Sequence, residues 1–225
     1  MIASGRANSL KPERGKMNNL DKIFSESQSG KDYVKRYASY LSELLRNLDV
    51  EAIEKTIAVF QKARADGKII FFVGNGGSAA TCSHFAEDLA YGTWTEGKKS
   101  FRVLSLADNT AYITAVANDQ GYENVFLRQL QNHFSAGDVL VAISASGNSP
   151  NVIKAVEYAN SNEGITIGMV GFDGGKLKDI CHHCCHVKTI KGAYGPVEDT
   201  HLVLAHIIST YLMYMLRQEL PNTSK

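Results

Sequence analysis

A three-layer α/β fold, with a parallel sheet covered by helices on both faces, is predicted by the pattern of the chain from Gly67 onward. Short apolar runs alternate there with longer helix-like segments, as expected of parallel strands joined by helical crossovers. Two Gly/Ser-rich turns fit the same repeat, since each follows an apolar run and precedes a helical segment. They are Gly74-Asn75-Gly76-Gly77-Ser78 and Ser144-Ala145-Ser146-Gly147-Asn148-Ser149. Bulk composition agrees: 225 residues, 44% hydrophobic and 21% charged, are ordinary values for one globular domain with a sizeable core.

Residues 1–20 are polar and basic, with Arg6, Lys11, Arg14 and Lys16 and no apolar period, and are expected to form a disordered tail. Residues 21–66 read as two helices. Tyr33, Tyr37, Tyr40, Leu41, Leu44 and Leu45 recur at helical spacing, followed by Ile53, Ile57, Val59 and Phe60. Such stripes face a core or a partner. The rest, 67–221, carries five strand-like runs at 68–73, 101–106, 138–143, 165–171 and 185–190. Helical segments are predicted at 78–91, 109–117, 122–134, 150–162 and 198–219. The last of these is apolar nearly all round, from Leu202 to Met215, so burial in a subunit interface is expected.

A formal net charge of +1 supplies no electrostatic footprint for nucleic acid or an anionic membrane. No apolar run approaches the ~20 residues that span a bilayer. The N-terminus lacks the apolar core of a secretory signal, so a cytoplasmic location is expected. Cys181, Cys184 and Cys185 interleave with His182, His183 and His186, whereas Cys82 stands alone. A zinc knuckle would need a second ligand pair at a suitable distance, and none is present. Small buried thiols at a short strand are the expectation, without disulfides.

Both Gly/Ser turns would lie beyond the C-terminal ends of their strands, where open α/β sheets bind ligands. Glycine lets a backbone approach an anion closely, and helix N-terminal amides carry partial positive charge. Serine hydroxyls add neutral donors, so the pair of turns points to a pocket for a phosphorylated small molecule. Gly74 to Ala79 also fits G-x-G-x-x-A, the loose dinucleotide fingerprint. The acidic residue that should hold the ribose is missing, because Asp108 comes too late.

His84 and Asp88 stand at i, i+4 on one predicted helix. The final helix carries Glu198, His201 and His206, of which Glu198 and His206 share a face after two turns. The two His/carboxylate pairs are either solvated faces or halves of one divalent-metal site, whose nitrogen and oxygen donors suit zinc.

The segment from Gly74 to Leu89, with His84 and Asp88 inside it, resembles the sedoheptulose 7-phosphate isomerases (phosphoheptose isomerases) of the sugar-isomerase (SIS) domain superfamily. Asn118-Asp119-Gln120-Gly121-Tyr122, the run from Ile143 to Ala155 and Asp173-Gly174-Gly175-Lys176 are similar too, in order, over roughly 35–218. The resemblance implies a flavodoxin-like subunit with N-terminal helices, assembled as a homotetramer with active sites between subunits. It implies a phosphate loop at Ser144, Ala145, Ser146 and Ser149, joined by Asn75, Gly76 and Ser78, and a substrate-hydroxyl contact at Asp119. It implies one Zn2+ or similar ion per subunit on His84, Asp88, Glu198 and His206, with Glu198 also touching substrate. Asp88 and His206 are the catalytic residues expected for an aldose–ketose isomerisation. The family usually has Glu at the position of Asp88, Gln at Glu198, Thr at Ala145, Asp-Arg at Gly195-Pro196 and Arg at Gly92. The alternatives are a non-catalytic SIS protein, binding a sugar phosphate or the replication initiator, and an isomerase of a different sugar phosphate.

Overall fold

The computed structural model describes residues 17–218. Among the described residues the strands are β1 (Ile69–Gly74), β2 (Arg102–Ser105), β3 (Val139–Ser144), β4 (Ile165–Val170) and β5 (His183–His186). They form one parallel sheet in the order β2-β1-β3-β4-β5. The helices are α1 (Asn19–Glu26), α2 (Gly30–Arg46), α3 (Val50–Asp66), α4 (Gly77–Glu87), α5 (Thr110–Gln120), α6 (Leu127–His133), α7 (Pro150–Ser161), α8 (Gly175–Ile180) and α9 (Tyr194–Gln218).

Strand residues alternate between two cores. Ile70, Phe72, Val139, Val141, Ile143 and Ile167 pack with Phe60 of α3, Phe85 of α4 and Leu204, Ile208 and Leu212 of α9. Phe71, Val73, Leu140 and Ala142 face the other way, toward Val116 of α5, Leu130 of α6, Val152 and Val156 of α7 and Leu177 of α8. Both faces are therefore covered, which is why the runs read as continuously apolar rather than alternating.

The stretch expected as two helices is three. Ser27 and Ser29 interrupt it, and Ser29 accepts from the Asp32 amide to start α2 afresh. Asn18 and Asp21 make a reciprocal capping box that starts α1 at Asn19. Of the expected tail, residues 1–16 lie outside the described residues. The segment 122–134 divides into a 3-10 turn (Tyr122–Asn124) and α6. The helix expected to end at 91 loosens at Asp88 into a π turn (Asp88–Gly92), where the Thr93 amide bonds the Asp88 carbonyl at 3.0 Å. β5 is shorter and earlier than 185–190. α8 is unforeseen because six residues opening on Gly174-Gly175 read as a loop. α9 starts at Tyr194 rather than 198.

The connections from β1 and β3 leave in opposite directions along the sheet. A crevice opens between their C-terminal ends, the switch point at which such sheets bind ligands. Gly74 and Ser144 are the last residues of those two strands, so both Gly/Ser turns rim it.

Candidate active site

The serine crook forms because β3 ends in Ser144 and α7 begins after Ser149, bending the chain back within five residues. Gly147 takes the left-handed φ of 63° that this bend needs, and any side chain there would overlap the Gly174 carbonyl. Its amide donates to Ser144 Oγ at 3.2 Å, and the Asn148 amide to Ser146 Oγ at 3.3 Å. Ser149 is the N-cap of α7 but makes no capping bond, leaving its hydroxyl 3.4 Å from that of Ser144 and available to a ligand. The turn over 171–176 braces the crook: the Gly171 amide donates to the Ala145 carbonyl, and the Lys176 amide to Asn148 Oδ1, both at 3.0 Å.

Asn75, Ser78, Ser144, Ala145, Ser146 and Ser149 line one cavity of about 150 Å³, together with Ile143, Tyr194 and Glu198. That is well below the roughly 300–1,000 Å³ of an ordinary small-molecule pocket, so it suits a compact group such as a phosphoryl. The N-termini of α4 and α7 both open on it without a capping bond from Gly76 or Ser149, so the partial positive charge of each helix end faces an anion there, although in α7 Pro150 brings no N–H and the Val152 amide is held by Asn151 Oδ1.

Farther along α4 and α9, which pack against each other, a second group assembles. His84, Asp88 and His206 each offer a ligand atom, all within 4.8 Å of one another. His206 Nε2 lies 2.9 Å from His84 Nε2, and Asp88 Oδ2 is 3.6 Å from the His84 nitrogen and 4.0 Å from that of His206. Ser209 Oγ donates to Asp88 Oδ2 at 3.2 Å and orients the carboxylate. Two imidazole nitrogens and a carboxylate oxygen converging in this way are a donor set that fits zinc or a similar divalent ion.

A family model described as SIS domain matches residues 32–171. The phosphoheptose isomerase of Rhodospirillum rubrum is 39% identical over 145 residues, covering 64% of this chain and 75% of that protein. That of Fusobacterium nucleatum is 38% identical over 172 residues, or 74% and 86% of the two chains. The chain belongs to the phosphoheptose isomerase family of SIS-domain proteins. The solved phosphoheptose isomerase of Neisseria gonorrhoeae superposes with a TM-score of 0.69 at 29% identity, covering 79% of this chain and 97% of that one.

Within this SIS fold the expected site residues fall into two groups. Glu198, expected as a fourth metal ligand, is not among the His84, Asp88 and His206 cluster and instead lines the serine cavity. Its carboxylate lies against the α-carbon of Gly77, where any side chain would overlap it. Burial, followed by the neighbouring Asp199 charge, raises its pKa. Asp199 in turn accepts a 2.5 Å hydrogen bond from Tyr37 Oη, and burial and that bond push the Tyr37 phenol up. Asp119, the expected hydroxyl contact, sits exposed on α5, bonded to Asn118 at 2.8 Å and outside the cavity lining. Gly76 supplies the N-cap of α4.

Tyr194, Ser209 and the Tyr37–Asp199 pair were not anticipated from the sequence. Ser209 stands three residues after His206, a helical spacing that marks it once the register of α9 is known. At the histidine/cysteine cluster, the Sγ atoms of Cys181 and Cys184 both pack near Gly168. Burial pushes their thiols up to about 12 and 11, so they are protonated at neutral pH, as poor metal ligands and poor nucleophiles. Among the described residues no helix is long and apolar enough to cross a membrane.

Proposed function

We propose that this chain is a metal-dependent aldose–ketose isomerase that interconverts sedoheptulose 7-phosphate and D-glycero-D-manno-heptose 7-phosphate in the cytoplasm. The observation that carries the reading is that one pair of helices, α4 with the π turn that continues it and α9, reaches both ends of the required site. Ser78 and Glu198 sit at the serine-cavity end, and His84, Asp88 and His206 lie farther along. Ser78 and His84 stand six positions apart on α4, about 9 Å of helix rise, on the scale of an extended sugar phosphate. The family names support the substrate, since the relatives matched are phosphoheptose isomerases.

In this reading Ser78, Ser144, Ser146 and Ser149 hold the phosphate with Asn75. The phosphate end fixes the sugar so that its first two carbons reach the His84/Asp88/His206 end. Those three residues would hold one divalent ion per subunit, which when bound supplies Lewis-acid polarisation of the sugar oxygens. Asp88 and His206 are assigned the proton that leaves one of the first two carbons and returns to the other, and the proton that passes between their oxygens, a role each fills through a lone pair that the ion leaves free. Glu198, at the cavity wall, accepts from a sugar hydroxyl, and Asp119 meets the sugar from α5.

Turnover of C5 to C7 ketose phosphates, measured with and without chelator, tests the proposal. Sedoheptulose 7-phosphate is expected to be the best substrate, with activity lost on chelation and restored by added zinc. Asp88→Asn and His206→Ala are each expected to slow turnover by about two to four decades. Wild-type rates in both variants, or no turnover of any sugar in the panel, would sink the assignment.

The subunit is also proposed to form a homotetramer. A groove of about 590 Å³ between α2, α3 and α9, lined by Leu45, Leu48, Ile53, Ile57, Ile207 and Tyr211, offers the apolar face that a second copy would cover.

A further inference from the structure

We infer that Asn151 and Tyr122 are positioning residues of the phosphate site, acting through Asn75 so that it presents a hydrogen-bond donor, and never an acceptor, to the anion. The inference rests on reading the serine cavity as a phosphate site. An asparagine amide has two donor hydrogens on nitrogen and two acceptor positions on oxygen, and turning it over exchanges the two ends. At the edge of an anion pocket that exchange matters, because an inward carbonyl would set lone pairs against a phosphate oxygen.

Asn75 and Asn151 bond reciprocally. Asn75 Nδ2 donates to Asn151 Oδ1 at 2.9 Å, and Asn151 Nδ2 donates to Asn75 Oδ1 at 2.8 Å. Such a pair is symmetric and would survive turning both amides over together, so something else must break the tie. The Val152 backbone amide does so. It donates to Asn151 Oδ1 at 3.0 Å, and a backbone N–H cannot accept. Asn151 is 2% exposed, so water offers it no alternative partner. Its orientation is therefore set, and the reciprocal pair passes that orientation to Asn75.

Tyr122 completes the device. Its hydroxyl donates to Asn75 Oδ1 at 2.9 Å, filling the second acceptor position on that oxygen. The Asn75 side chain is left with a single unspent group, one N–H on Nδ2, and it lines the serine cavity. The turn bearing Tyr122 is itself tied to α7, because Lys154 Nζ donates to Asn124 Oδ1 at 3.1 Å and lies 3.7 Å from Glu123. One helix thus carries Asn151 and anchors the arm that holds Tyr122.

The test is a double-mutant cycle on the full chain, read by calorimetric binding of inorganic phosphate, with kcat and KM for sedoheptulose 7-phosphate alongside. Asn75→Ala and Asn151→Ala are each expected to weaken phosphate binding about tenfold, as for loss of one hydrogen bond to a charged group. The double variant should bind no more weakly than Asn75→Ala alone, and KM should rise while kcat changes far less. Tyr122→Phe removes one exposed hydroxyl and leaves packing intact, so it keeps the cycle readable even if Asn151→Ala does not fold. It should weaken phosphate binding by a smaller factor, and by none in the Asn75→Ala background. Additive losses, or wild-type phosphate affinity in both Asn151→Ala and Tyr122→Phe, overturn the inference. A wild-type chain that binds phosphate but turns over no sugar sinks the isomerase reading alone, and one that binds no phosphate sinks both.

Discussion

His201 shows how a single side chain in α9 differs from its neighbours at 198 and 206. It is fully buried, and burial lowers its imidazole to about 4, so it is neutral in the fold at pH 7. The ordinary value near 6.5 applies to the unfolded chain, which therefore binds the extra proton between about pH 6.5 and 4. More protons bound in the unfolded state means stability that rises with pH across that window and is lost as pH falls through it, by up to ~1.4 kcal/mol per unit. Urea unfolding at pH 7, 6 and 5 should show this decline, and His201→Leu should lose that share of it; an unchanged slope in the variant refutes the assignment. Residue chemistry was partly legible beforehand. The i, i+4 spacing of His84 and Asp88 put them on one face, and the structure keeps them at 3.6 Å. The eight-residue spacing of Glu198 and His206 suggested one face too. Two turns of helix still separate their α-carbons by ~12 Å, enough for one to reach the serines and the other the histidines.

At the level of elements, α4 does most of the positioning. Its N-terminus opens on the serine cavity and its last turn carries His84. Asp88, whose amide still bonds the His84 carbonyl in α register, stands beside His84 and His206, and the π turn opens from it. An extra backbone atom set per turn of this kind is a known mark of functional sites, and no sequence period announces it. Phe85 fixes α4 to the sheet, with its ring 5.0 Å from that of Phe72 and 5.8 Å from that of Phe60. Phe85→Ala should cost about 3–5 kcal/mol, measurable by chemical denaturation; a loss below 1 kcal/mol would mean that α4 is held by its other contacts. Gly77 is the second constraint on this helix. A methyl there would drive the Glu198 carboxylate out of place, and a displacement of about 1 Å can cost on the order of a hundredfold in rate. Gly77→Ala should therefore lower kcat/KM steeply while leaving unfolding stability near that of the parent, and a kcat/KM equal to the parent's would show that Glu198 relocates freely.

For the whole molecule, the exposed rings of Tyr211 and Tyr214 and the side chain of Ile207 place an apolar stripe on α9 outside the two cores. Tyr211→Glu, at the mouth of the α2/α3/α9 groove, should shift the sedimenting species to a smaller assembly, and an unchanged mass would argue that subunits meet elsewhere. The strands, the helices of the two layers and the two Gly/Ser turns could be read in advance because their signals are local. Apolar period distinguishes strand from helix, and glycine and serine content limits what a turn can bind. Packing decided the rest. His84 and His206 are 122 residues apart in the chain, and nothing within either segment records the angle at which α9 crosses α4. That crossing sent Glu198 to the serines and joined Asp88 to both histidines, and the docking of α7 beside the turn after β1 set Asn151 against Asn75, since such partners depend on how whole elements fit rather than on spacing within one.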